Sequence, residues 1–133
     1  MGQQQLMLII LAVLIVGIAM AIGVSLFTSQ SIESDRDAIV ADLGNISTNA
    51  YRYYIRPVSI GGGGGRFDGY KIPARMATDD NATYDCGTPT GTVQIKIIGT
   101  SIANPGSTVS TIFQVATGKD TAFEFTGAFA PEE

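Results

Sequence analysis

Few side chains here can do chemistry at neutral pH, and the ones that can are poorly arranged for it. Asp79, Asp80, Asn81 and Asp85 put four oxygen-bearing side chains within seven residues, the composition of a calcium loop. Their spacing matches no EF-hand, and they read instead as solvated turn positions. Gly61 to Gly65 offers a run of backbone amides that could cradle a phosphate. No Lys-Ser/Thr follows and a helix precedes it, so a flexible turn, packed closely against a neighbouring chain, is expected instead. Cys86 is the single cysteine, which excludes an internal disulfide and leaves pairing with a second chain or simple burial open. There is no His, so imidazole metal sites and Ser-His-Asp or Cys-His catalysis are excluded. Tyr51, Tyr53 and Tyr54, with Phe67 and Tyr70, read as rings that wedge a sheet against a helix while their hydroxyls reach water. No cofactor ligands accompany them to carry electrons. No catalytic residue, metal or cofactor is assigned, and the chain is not read as an enzyme. Asn45-Ile-Ser47 and Asn81-Ala-Thr83 are glycosylation sequons. Asn81 is the better candidate, because a sugar on Asn45 would project from a helix near a packed core.

The elements that position these residues are set by the distribution of charge. None of the eight basic and twelve acidic residues occurs before Glu33, so the positive mean hydropathy of the 133-residue chain belongs to its first segment. The remainder is an ordinary polar domain. With a net charge of −4, the chain is too acidic to be read as a phosphate-backbone binder, and nucleic acid is excluded as a partner. Leu6 to Phe27 forms an uninterrupted apolar run of 22 residues, long enough to cross a bilayer as a helix. A cleaved signal peptide fits less well, since Met1 to Gln5 holds no Lys or Arg and the run exceeds the usual roughly 7–15 apolar residues. The first charges beyond it, Glu33, Asp35, Arg36 and Asp37, are acidic on balance, which favours export of the polar domain.

From Ser31 to Ile55 there is no Pro, and Ile32, Ile39, Leu43, Ile46 and Ala50 recur at helical spacing with Asp35, Arg36, Asp37 and Asp42 between them. The pattern predicts one helix from about Gln4 to Arg56, apolar all round in its first half and amphipathic in its second, ended by Pro57. Thr92 to Ile98, Ser107 to Ala116 and Thr121 to Phe125 alternate or are rich in β-branched residues, and turn chemistry separates them. They predict an antiparallel meander of three strands, or four if Phe67 to Ile72 joins. Its apolar face needs cover, and the stripe of Ile39, Leu43, Ile46 and Ala50, continued by Tyr53 and Tyr54, supplies it. The expected fold class is α+β. The expected divisions are an apolar transmembrane or filament-core helix over residues 1–28, its amphipathic continuation over 29–56, and an exported sheet domain over 57–133.

An apolar helix surface that leaves a bilayer needs a partner, and the nearest is the same helix from another copy. Gly17, Ala21 and Ser25 are spaced i, i+4, i+8, and Ala19 with Gly23 gives a second small pair, so helix backbones can approach closely. Gly2 at the head of an apolar and then amphipathic helix, with a small antiparallel sheet after it, resembles the type IV pilins. That resemblance implies a structural subunit of an extracellular filament, assembled from a cytoplasmic-membrane precursor by dedicated machinery. It makes Gly2 a processing site. Cutting after Gly2 would make Gln3 the first mature residue and Met7 the fifth, whereas a chain starting at Met1 has Gln5 there. Neither is the Glu usual in that family, so the polar start of the helix rests on the neutral amides of Gln3, Gln4 and Gln5. A single-pass membrane-anchored binding protein, and a minor or pseudopilin-type component of a secretion or uptake system, are the alternatives.

Overall fold

The computed structural model describes residues 2–131 of the chain. Met1, the alternative first residue of a mature chain, lies outside them, as do Glu132 and Glu133. The chain divides into two compact units, residues 1–33 and 34–133. One helix, α1 (Gly2–Ile55, 54 residues), supplies the whole described part of the first and the opening of the second. The hydroxyls of Thr28, Ser29 and Thr48, which could compete with the helix for backbone partners, donate to carbonyls four residues back at 3.0–3.2 Å and leave the helix unbroken.

Pro57 follows the last helical residues, having no amide to continue the ladder. The glycine run beyond it is not the flexible turn that its composition suggests. The amides of Gly63, Gly64 and Gly65 fold back and donate to the carbonyls of Tyr53, Arg56 and Tyr54 at 2.8, 2.9 and 2.8 Å. These are acceptors that the end of a helix leaves unpaired. The approach is close enough to require glycine: a Cβ on Gly62 would overlap the Arg56 carbonyl, and one on Gly63 the Arg66 carbonyl.

A five-stranded antiparallel sheet completes the second unit and makes it α+β. Its strands are β1 (Ala82–Asp85), β2 (Gln94–Ser101), β3 (Thr108–Gln114), β4 (Lys119–Asp120) and β5 (Glu124–Phe125). The order is β1-β2-β3, and β4 and β5 lie in succession along the other edge of β3. Three local expectations are corrected. Phe67 to Ile72 is not a strand; a buried Phe67 and Tyr70 hold it as a turn, and the edge position is taken by β1. Strand β2 begins and ends later than expected, so Gly99 lies inside it rather than in the following loop. Of the expected strand Thr121 to Phe125 only Glu124 and Phe125 pair, as β5, while Lys119 and Asp120 before it pair as β4; between the two the Thr121 hydroxyl accepts from the Ile112 amide at 3.2 Å where a ladder carbonyl would stand.

One face of the sheet buries Tyr84 from β1, Ile95 and Ile97 from β2, and Val109 and Phe113 from β3, and the helix buries Ile39, Leu43, Ile46, Ser47 and Ala50. The helix positions follow the 3.6-residue period and the β2 positions the period of two, so each element offers one dry face. Contact is close: a Cβ on Gly99 would come within 2.8 Å of the Ile39 Cγ2 and 3.0 Å of the Tyr84 ring. Fully burying each large aliphatic side chain is worth roughly 1.5–3 kcal/mol, which makes this layer the main source of stability of the unit.

Two glycine substitutions should move stability in opposite directions. Gly63→Ala should lower unfolding free energy by roughly 1–3 kcal/mol, since the cap must open to admit a methyl group. Gly44→Ala, in a helix interior with nothing within 4 Å of the added Cβ, should raise it by roughly 0.5–1 kcal/mol. Denaturant unfolding of the full chain in detergent, followed by circular dichroism, reads both; a neutral Gly63→Ala would show that the folded-back glycines do not stabilise the helix end.

Candidate assembly surface

The first unit consists of exposed apolar side chains. From Leu6 to Phe27, sixteen large apolar residues are each at least 53% exposed. The helix pairs its own backbone groups, so the surface it presents is hydrocarbon with no unmet polar demand. By length and composition, α1 is able to cross a membrane. Gln3, Gln4 and Gln5 lie on its first turns, exposed, and Gly2 opens it. Gly17, Ala19, Ala21, Gly23 and Ser25 are helical and exposed, and a Cβ added at Gly17 or Gly23 would meet nothing within 4 Å. Gly17, Ala21 and Ser25 share one face and form a shallow strip between larger side chains.

In the second unit, the apolar stripe is bordered by a polar row that periodicity in apolar residues does not reveal. Asp35, Asp42 and Asn49 stand seven residues apart, two turns each, on one edge of the helix. Each accepts a hydrogen bond from the sheet side. The Ser101 hydroxyl and the Asn104 amide donate to Asp35 Oδ2 at 2.6 and 3.1 Å, the Tyr84 hydroxyl to Asp42 Oδ2 at 2.9 Å, and the Tyr70 hydroxyl to Asn49 Oδ1 at 3.0 Å. Ser47, buried in the stripe, donates to Asp120 Oδ1 at 2.6 Å. Asp35 and Asp42, which the amphipathic pattern places only as polar residues between the apolar positions, are therefore anchors. The seven-residue spacing, set against the number of hydroxyl residues in the strands, is the signal that could have found them.

The tyrosines at the helix end do pack. Tyr54 lies 5.0 Å from Phe67, Tyr51 5.8 Å from Phe113 and Tyr53 5.4 Å from Tyr70, centroid to centroid, and the Tyr53 hydroxyl donates to the Asp68 carbonyl at 3.0 Å. Burial pushes Tyr70 up from the usual phenol value of 10.0 to about 12, with a smaller contribution from the nearby Cys86. Burial and then the Asp42 carboxylate push Tyr84 higher still.

The remaining candidates take local roles. Asn45 is exposed on the helix and Asn81 half-buried, just before β1, its carbonyl accepting from the Ile102 amide at 2.9 Å. Asp79 and Asp80 are exposed, and Asp85 accepts from the Gly87 amide at 3.0 Å. Cys86 is free and half-buried, its thiol directed at the Tyr70 carbonyl at 3.9 Å and pushed up in pKa mainly by burial. The chain matches no family model, no curated protein and no solved structure. Its order of elements, a long apolar N-terminal helix and then a small antiparallel sheet, is pilin-like.

The polar row makes stability fall at high pH. Tyr70 and Tyr84 hold their protons more tightly folded than unfolded, so their contribution is complete below about pH 10; that of Tyr70 is lost as pH rises through about 12, and that of Tyr84 above it. A tyrosinate absorbance titration should show both rings ionising together with loss of the folded signal, and Tyr84→Phe should flatten the dependence. Ionisation of both near 10 with the fold intact would contradict the seam.

Proposed function

We propose that the chain is the structural subunit of a type IV pilin-like filament, with apolar helices bundled in the core and sheet units on the outside. The observation that carries this reading is the uninterrupted exposure of sixteen large apolar side chains on one regular helix. Soluble monomers rarely expose contiguous apolar patches above a few hundred Å², and this surface has only two physical solutions, lipid and other apolar helices. A precursor in the cytoplasmic membrane uses the first. An assembly of copies, built by a machinery that extracts them, uses the second. The small strip of Gly17, Ala21 and Ser25 lets neighbouring backbones approach, and Ala19 with Gly23 serves another neighbour. Gln3, Gln4 and Gln5 carry amides whose burial unpaired would cost roughly 1–3 kcal/mol each, so in the core they pair with one another, with a neighbour's backbone or with water. The second unit can then remain exported, as the acidic residues after the apolar run favour.

Electron microscopy of material sheared from the surface of cells producing the chain, with mass spectrometry of its main band, should show filaments made of this protein. Gly17→Leu or Ala21→Leu should reduce filament yield through overlap in the core while leaving the sheet unit folded. Normal yields from both would remove the small-residue contact, and a chain that stays in the membrane fraction as a monomer would sink the filament reading.

A further inference from the structure

Half of the chain's eight basic residues converge on one groove of the second unit. Arg52 and Arg56 come from the last turn of α1 and the residue just beyond it, Lys71 from the segment before the short helix α2 (Ala74–Ala77), and Arg75 from α2 itself. Together with Asn49 they line a cavity of about 410 Å³ that no carboxylate lines. None of the four makes an ion pair or a side-chain hydrogen bond among the described residues, although the chain is acidic overall. Arg36, Arg66 and Lys96, by contrast, each have a carboxylate within 4.0 Å.

Folding alone does not account for this grouping. A cation in the last turn of a helix complements its dipole, which explains Arg52, and a flanking Arg56 gains a little from it. But the two stand i, i+4, where like charges repel by a few tenths of a kcal/mol, and Lys71 and Arg75 are then brought to the same cavity from a different segment. Each guanidinium presents a fork of N–H donors matched to an oxyanion, and Asn49, whose Oδ1 is engaged by the Tyr70 hydroxyl, has Nδ2 hydrogens left to give. The adjoining cavity of about 520 Å³ shares Asn49, Arg52 and Arg75 but carries Asp42 and Asp79. Two cations and two carboxylates balance there, whereas positive charge is unopposed toward Arg56 and Lys71, which directs an anion to that end.

We propose that this groove binds a compact ligand carrying two or more oxyanion charges, supplied by phosphate esters or by the carboxylates of an acidic sugar. Four unneutralised cations around one cavity match more than one negative charge. The net charge of −4 sets the size: a long polyanion would meet repulsion from the rest of the surface, whereas a short one is held within the groove. The binding requires only the second unit's fold and is independent of whether the chain assembles.

Calorimetric titration of the full chain in nonionic detergent with pyrophosphate, and separately with digalacturonate, tests it. Saturable binding of either is expected, weakened roughly tenfold by a tenfold rise in salt. Arg52→Gln combined with Arg75→Gln should weaken it at least roughly tenfold with an unchanged circular dichroism spectrum, and Lys71→Gln alone should weaken it less. Lys119→Gln, removing a cation outside the groove, should leave it within about twofold. The tighter of the two anions identifies the source of the oxyanion. No saturable binding of either at about 10 mM, or binding unchanged in the double variant, would overturn the proposal.

Discussion

The apolar surface from Leu6 to Phe27 is the constraint on which the rest depends. Sixteen large side chains left in water would cost on the order of tens of kcal/mol, more than the net stability of an ordinary domain. Nothing among the described residues covers them. The absence of any charge before Glu33 removes the usual means of holding such a surface in water, and the helical backbone removes the polar demand that would keep it out of lipid. On the proposed reading, lipid and then other copies of the same helix supply that cover.

Beyond residue 33 the same helix solves the same problem differently. Its apolar residues narrow to a stripe, and the chain's own sheet covers that stripe. The polar row beside it gives direction to a layer that apolar contact alone would leave free to slide. Asp35, Asp42 and Asn49 each take a hydroxyl from the sheet side at a distance of 3.0 Å or less, at intervals of two helical turns. Register along the helix is fixed by these acceptors, and Gly99 fixes how near the sheet comes. At the helix end the folded-back glycines complete the last carbonyls, so the basic groove is walled by an ordered end and not a frayed one.

Long-period features were legible in the sequence. The single helix, the burial of Ile39, Leu43, Ile46 and Ala50, and an antiparallel sheet all rest on patterns repeated over many residues, where local irregularities average out. The features that were missed depend on single contacts. Phe67 to Ile72 has the composition of a strand but is held by the burial of Phe67 and Tyr70, and Ala82 to Asp85, with Asp and Asn around it, has the composition of a turn yet pairs with β2. The Thr121 hydroxyl entering the ladder, and the glycine amides meeting the Tyr53 and Tyr54 carbonyls, join positions whose pairing no periodicity encodes. The four cations of the groove are scattered over 24 residues of sequence and meet only when the end of α1 packs with α2 and the segment before it.

The central claim is that other copies of the same helix replace lipid around residues 6–27. Disulfide cross-linking measures that neighbourhood directly, in a chain whose own Cys86 is replaced by Ser and which carries one cysteine at a time along the apolar run. In assembled material, Gly17→Cys, Ala21→Cys and Ser25→Cys should give linked dimers in high yield, and Ile18→Cys and Ile22→Cys far less, because only the small strip brings two backbones close enough for a disulfide. Equal yields at all five positions, or no dimer at any of them, would contradict helix-to-helix packing through the small strip.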